Sequence, residues 1–162
     1  MLTNQSIDKT RDLARGLSPV EIEDGLISAL TKFAELTARF YKISCVFIQT
    51  SQKSRQDDYS PLLSNHLYRI TQEAVSNAIR HGMAKQVLIK LISRGKHELL
   101  SITDDGTGFK ESGNEKPGHG LHNIRFRSRM IGARISISKG RHKGMVVACL
   151  FLKRKKRQPR IA

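Results

Sequence analysis

Residues 66–82 read HLYRITQEAVSNAIRHG, and the apolar members of this stretch return at intervals of three and four. Leu67, Ile70, Ala74, Val75, Ala78 and Ile79 therefore fall along one side of a helix. Its polar positions are less ordinary. Glu73 and Asn77 lie one helical turn apart on a shared face, and Arg80 and His81 carry the helix to Gly82, a C-terminal stop. A carboxylate, a carboxamide and an imidazole turned toward a core are costly unless something pairs with them. A metal ion with phosphates would do so, although an ordinary solvated pair explains the Glu73 and Asn77 spacing when it is taken alone.

Upstream, Leu13 and Leu17 at helical spacing suggest the last turns of an earlier helix. Ser18 and Pro19 read as an N-cap followed by proline at the first helical position, with Glu21 in an acidic first turn. Over residues 20–41 the positions Ile22, Leu26, Ala29, Leu30, Phe33, Leu36 and Phe40 fit a packed helix, and SCVFIQT at Ser44–Thr50 reads as a strand. SQKSRQDDYSP, residues 51–61, is expected to be a loop. Downstream, KQVLIKLIS (85–93) and HELLSIT (97–103) predict a hairpin with Gly95 at its tip. The second strand runs into DDGTGF and then KESGNEKPGHG, too polar and glycine-rich for anything but a mobile connection. A helix over residues 121–131 and two strands, 134–138 and 145–152, complete the chain, the strands separated by KGRHKG.

This order predicts an α/β sandwich: a mixed five-stranded sheet covered on one face by about three helices, rather than a doubly wound parallel sheet. Between the helices and the sheet there is room for a ligand roofed by the long loop.

Composition narrows the function. A chain of 162 residues with 38% hydrophobic and 27% charged content holds one domain with a real core. The start of the chain lacks a secretory pattern and no run has the apolar length of a membrane span, so a cytoplasmic, soluble chain without membrane contact of its own is expected. Cys45 and Cys149 lack metal-type spacing and read as structural free thiols. The formal charge is +15, but Lys153–Arg157 (KRKKR) and Arg160 put much of the excess in a terminal stretch. Such a stretch is either a solvated tail or an attraction to nucleic acid, membrane or polyphosphate.

Three stretches carry possible chemistry. Asn77 offers an amide oxygen suited to Mg²⁺, and Glu73 a carboxylate able to order a water or accept a proton from a nucleophile. In DDGTGF, Gly106 and Gly108 permit close approach of a ligand, and Asp104 can accept a hydrogen bond from an exocyclic amine such as that of adenine; a tight turn explains the same residues. In GHGL, Gly118 and Gly120 open a helix whose free amides make an anion site, with Arg125 and Arg127 nearby. His119 stands where a Walker loop has its lysine, and Asn123 where a dinucleotide fingerprint has its third glycine, so neither of those motifs applies.

In sequence, EAVSNAIRHG, DDGTGF, GHGLHNIR and a glycine before the final strand resemble the N, G1, G2 and terminal glycine boxes of the GHKL ATP-binding superfamily. Within it, the chain is similar to the catalytic domain of bacterial sensor histidine kinases of the subgroup paired with helix-turn-helix response regulators. RDLARGLSPVEIEDGLISALTKFAEL also resembles that subgroup's junction between dimerisation helices and catalytic domain. The resemblance implies a Bergerat-type ATP-binding fold over residues 19–152, a dimerisation-helix remnant and linker over residues 1–18, and a disordered basic tail over residues 153–162. It implies ATP and Mg²⁺ as cofactors, with Asn77 the Mg²⁺ ligand and Glu73 the catalytic residue that activates the nucleophile. Arg80 and His81 would stand near the phosphates, Asp104 would hold the adenine amine, and Gly106 and Gly108 would let the base approach. Gly118, Gly120 and Leu121 would border the phosphates under a lid over residues 110–117.

Two departures matter. Gly144 is followed by Met145 where the family has Gly-Thr, losing a hydroxyl. Also, of the six histidines, only His97 precedes an acidic residue, and it falls in a predicted strand. The acceptor histidine is therefore expected outside this chain, on a dimerisation segment, with a response regulator downstream and the membrane anchor, if any, in the parent protein. An anti-sigma serine kinase of the same superfamily and a basic nucleic-acid-binding module are the alternatives.

Overall fold

The computed structural model describes residues 22, 24–50, 59–108, 119–141 and 143–152. The expected linker and Ser18–Pro19 cap, the lid over residues 110–117, Gly118 and the basic tail lie outside them. Eight elements follow in the order α1 (Gly25–Tyr41), β1 (Ser44–Thr50), α2 (Pro61–Arg80), β2 (Gln86–Arg94), β3 (His97–Asp104), α3 (His119–Met130), β4 (Arg134–Lys139) and β5 (Met145–Leu152).

Two helix starts differ from expectation. The Ser60 hydroxyl accepts from Leu63 N–H, with Pro61 at the first helical position. The central helix therefore begins five residues before the quoted stretch, inside what reads as loop, because an N-cap and a proline look alike in a turn and at a helix entry. Conversely, α1 starts at Gly25 rather than at residue 20. Gly25 has φ +86° and donates to the carbonyl of Ile22, a turn that precedes the helix despite the apolar period.

The sheet is mixed, as expected, in the order β1-β2-β3-β5-β4. β1 runs parallel to β2, and the remaining neighbours are antiparallel. Register sets the core. Ile89 pairs with Ile102 and Leu91 with Leu100 between β2 and β3, while Leu100 pairs with Cys149 and Ile102 with Val147 between β3 and β5. All six are buried, since alternate residues of each strand face the helices. Leu26 and Leu30 of α1, Leu67, Ile70, Ala74 and Val75 of α2, and Ile124 of α3 close over them. Among the described residues the helices cover one face, and Val46 and Ile48 are exposed on the other.

Cys45 and Cys149 are buried and unpaired, with burial pushing their thiols up to about 11 and about 12. They are inert packing residues, in agreement with their spacing. Tyr59, just before α2, donates to the buried carboxylate of Glu98 on β3 and packs edge-on against Phe151. This ties the entry of the helix to the sheet.

Candidate functional site

The exit of α2 is fastened more elaborately than its entry. The amides of His81 and Gly82 both donate to the carbonyl of Asn77, at 3.0 and 3.1 Å, and Ala84 donates to Ala78. The chain thus turns tightly off the helix, and Gly82 is required there because a Cβ would stand 2.6 Å from the Ala78 carbonyl oxygen. The carbonyl of Gly82 then accepts from Thr107 N–H at 2.8 Å. The helix end and the DDGTG turn are joined by their backbones, although 25 residues separate Gly82 from Thr107.

Within that turn the two aspartates divide the work. Asp104 Oδ1 accepts the amide of Gly106 at 2.8 Å and lies against Gly144, where a Cβ would fall 2.6 Å from it. Burial raises the Asp104 pKa, opposed by the amides of Gly106 and Met145 and reinforced by the charge of Asp105. Asp105 is exposed, and its Oδ1 accepts the amides of both Lys85 and Gln86 at 2.8 Å, which hold its pKa down. Asp105 is a brace for the start of β2 that sequence reasoning missed. Its signal in the sequence is an Asx residue beside glycine.

A hollow of about 550 Å³ opens beside this turn. Its walls are Gly82 and Met83, residues 105–108, Lys139 at the end of β4, and Gly140, Lys143 and Gly144 of the β4–β5 connection. The side chain of Met145, the first residue of β5, approaches Gly108.

Glu73 and Asn77 stand at the other end of the site, half-buried, where α2 meets the first turn of α3. A Cβ on Gly120 would fall 2.3 Å from Glu73 Oε1, 2.9 Å from Asn77 Nδ2 and 3.1 Å from Asn77 Oδ1. The glycine is there so that the carboxylate and carboxamide can approach the helix start, a different reason from the bare anion site expected of it. Burial raises the Glu73 pKa, opposed first by the charge of Arg127 and then by that of His81. Glu73 and Asn77 supply hard oxygen donors side by side, and among the described residues no group of three or more His, Cys, Asp or Glu gathers to hold a metal, at this point or at any other. A donor set this small suits an ion that keeps water and phosphate oxygens as its other ligands.

The expected residues thus form two clusters bridged by Gly82: Glu73, Asn77 and Gly120 in one, and Asp104, Gly106, Gly108 and Gly144 in the other. Asn77 and Glu73 are not in the walls of the hollow itself. Arg80 and His81 are exposed at the exit of α2, and Leu121 packs against the core. Gly118 lies outside the described residues. No helix among the described residues is long and apolar enough to cross a membrane.

Residues 63–156 match the family described as histidine kinase-, DNA gyrase B- and HSP90-like ATPases. The sensor protein VraS of Staphylococcus saprophyticus is 43% identical over 75 residues, which cover 46% of this chain and 22% of that protein. The chain therefore corresponds to about a fifth of the length of such curated relatives. Among solved structures, the ATP binding domain of PrrB from Mycobacterium tuberculosis superposes with a TM-score of 0.59 at 20% identity, covering 76% of this chain and 90% of that one. The histidine kinase domain of a blue-light activated histidine kinase from Erythrobacter litoralis gives 0.58 at 19% identity, covering 79% and 61%. At such identities the likeness is one of fold.

Proposed function

The chain belongs to the histidine kinase-, DNA gyrase B- and HSP90-like ATPases, and from that membership we propose that it is the ATP-binding catalytic domain of a two-component sensor histidine kinase, moving the γ-phosphoryl group of ATP to a histidine outside this chain. The observation that carries the reading is the meeting of Glu73, Asn77 and Gly120 at one point, with Asp104 backbone-linked to the same helix through Gly82. The family match leaves the nucleic-acid reading, which rested on charge, without support.

Asp104 is half-buried beside a glycine-lined hollow and accepts from the exocyclic amine of the purine. Gly106 and Gly108 leave the backbone open to the base. Asn77 would hold Mg²⁺, which would supply positive charge against the triphosphate. Glu73 takes the N–H proton of the attacking imidazole. As the new phosphorus–nitrogen bond forms, the bond from the γ-phosphorus to its bridging oxygen breaks and the electron pair leaves with ADP. Burial raises the proton affinity of the Glu73 carboxylate, which suits a base. Little further covalent chemistry is required, because phosphoryl transfer is catalysed mainly by positioning and electrostatics.

The partners in this reading are a histidine-bearing dimerisation segment of the same kinase and a downstream response regulator. Isothermal calorimetry tests the nucleotide half: Mg²⁺-ATP binds the wild-type chain, EDTA weakens it, and Asn77→Ala and Asp104→Ala lose at least about tenfold in affinity, or about 1.4 kcal/mol, with the circular dichroism spectrum unchanged. Wild-type affinity in both variants refutes the assignment.

A further inference from the structure

The polar stripe of α2 does not stop at Glu73. Arg69 and His66 continue it toward the start of the helix, one and two turns away. α3 packs along this stripe in the opposite direction. Its Gly120 stands at Glu73 and Asn77, whereas Arg127, two turns later, acts electrostatically on Glu73, Arg69 and His66 together. The face of α3 decides which arginine can do this. Ile124 and Ser128 are buried against the rest of the domain and Arg127 is half-buried between them, while Arg125 and Arg129 are exposed.

Arg127 has no hydrogen-bond or ion-pair partner among the described residues, and in particular it does not bridge to Glu73. Nearby, His66 Nδ1 is buried without a hydrogen-bond partner. A half-buried guanidinium without a counter-ion, next to a second arginine and an unsatisfied imidazole nitrogen, is unfavourable by itself. Among the described residues the carboxylate on which Arg127 acts is that of Glu73, and its proton-accepting role is best served if no arginine grips it.

The order of groups along α2 indicates what fills the gap. From the exit inward come Gly82, fastened to the turn of Asp104, then Asn77, then Glu73, then Arg127 lying across from Arg69. A triphosphate whose base sits at Asp104 and whose phosphates pass Asn77 ends at Arg127. We propose that Arg127 contacts the terminal phosphoryl group of ATP and is the residue by which this chain tells ATP from ADP, with Arg69 adding a second positive charge beside it. The proposal rests on the ATP-binding reading above. A guanidinium suits the task because its planar fork of N–H donors matches phosphoryl oxygens, on which charge is spread during transfer.

Calorimetry with Mg²⁺-ATP and Mg²⁺-ADP on the wild-type chain, Arg127→Ala and Arg127→Lys tests this. The expected result is an ATP preference in the wild type, a loss of about tenfold or more in ATP affinity in Arg127→Ala with ADP affinity held to within about twofold, and partial recovery in Arg127→Lys. Equal loss for the two nucleotides, or no loss for either, overturns the assignment. If Arg127→Ala fails to fold, Arg127→Lys and Arg127→Gln carry the comparison, since both keep an aliphatic stem at this position, Lys nearly the full reach of Arg and Gln a shorter, uncharged one. Failure here is separable from failure of the ATP reading: a wild type that binds neither nucleotide refutes both, whereas one that loses both only in Asn77→Ala refutes this inference alone.

Discussion

Burial raises the pKa of both Glu73 and Asp104, so each carries its charge at neutral pH at some cost to the folded state. For Glu73 the folded protein holds a proton to higher pH than the unfolded chain, whose ordinary value is 4.5. Folding therefore binds protons between that value and the raised one, and stability falls as pH rises through this interval. Glu73→Gln removes the ionisation while keeping the shape. It is expected to melt at a higher temperature than the wild type at pH 7, with the difference vanishing below about pH 4, where both side chains are neutral. Thermal melts across pH check this, and an unchanged or lower melting temperature at pH 7 counts against it. Asp105 has the opposite sign: backbone amides hold its pKa down, so its contribution is present above 3.8 and is lost as pH falls through the folded value.

At the scale of elements, the glycines report how α2, α3 and the DDGTG turn approach one another. Gly120 faces the far ends of the Glu73 and Asn77 side chains, which can swing aside. A Cβ on Gly106 would stand 2.6 Å from the backbone carbonyl oxygen of Gly82, which cannot. Gly120→Ala is therefore expected to leave stability within about 1 kcal/mol, helped by the better helix propensity of alanine. It displaces the carboxylate and reduces Mg²⁺-nucleotide affinity. Gly106→Ala forces the turn away from the helix exit and costs about 1–3 kcal/mol. Urea denaturation of both variants, read beside their nucleotide affinity, separates the two effects. Equal destabilisation would show that α3 rather than Glu73 yields at Gly120.

Over the whole molecule, one apolar layer between sheet and helices holds the two halves of the site in place. Leu67 is fully buried midway along α2, packed in the core formed by β2, β3 and β5. Leu67→Ala is expected to cost about 2–5 kcal/mol, from lost burial and the cavity left behind. The loss should appear as a lower denaturation midpoint with an unchanged slope, whereas a changed slope would mean that the fold no longer unfolds as one unit.

The sequence by itself determined the elements whose signal is local. The α2 stripe from Leu67 to Ile79 follows the helical period, and the β-branched runs in β1, β2 and β5 and the Gly95 turn announce strands. Residue types also marked Glu73, Asn77, Asp104 and the glycines as candidates, because a carboxamide, a carboxylate and a missing side chain each have limited chemistry. What it blurred were the boundaries, since Ser60–Pro61 suits a loop as well as a helix start, and the turn at Gly25 is invisible to periodicity. Only the tertiary structure decided that β5 lies between β3 and β4, that Gly82 meets Thr107, that Gly120 makes room for Glu73, and that Arg127 rather than Arg125 faces α2. These are contacts between residues distant in the chain, or choices between helix faces, and each depends on how separate elements pack to bury apolar surface rather than on any preference written in neighbouring residues.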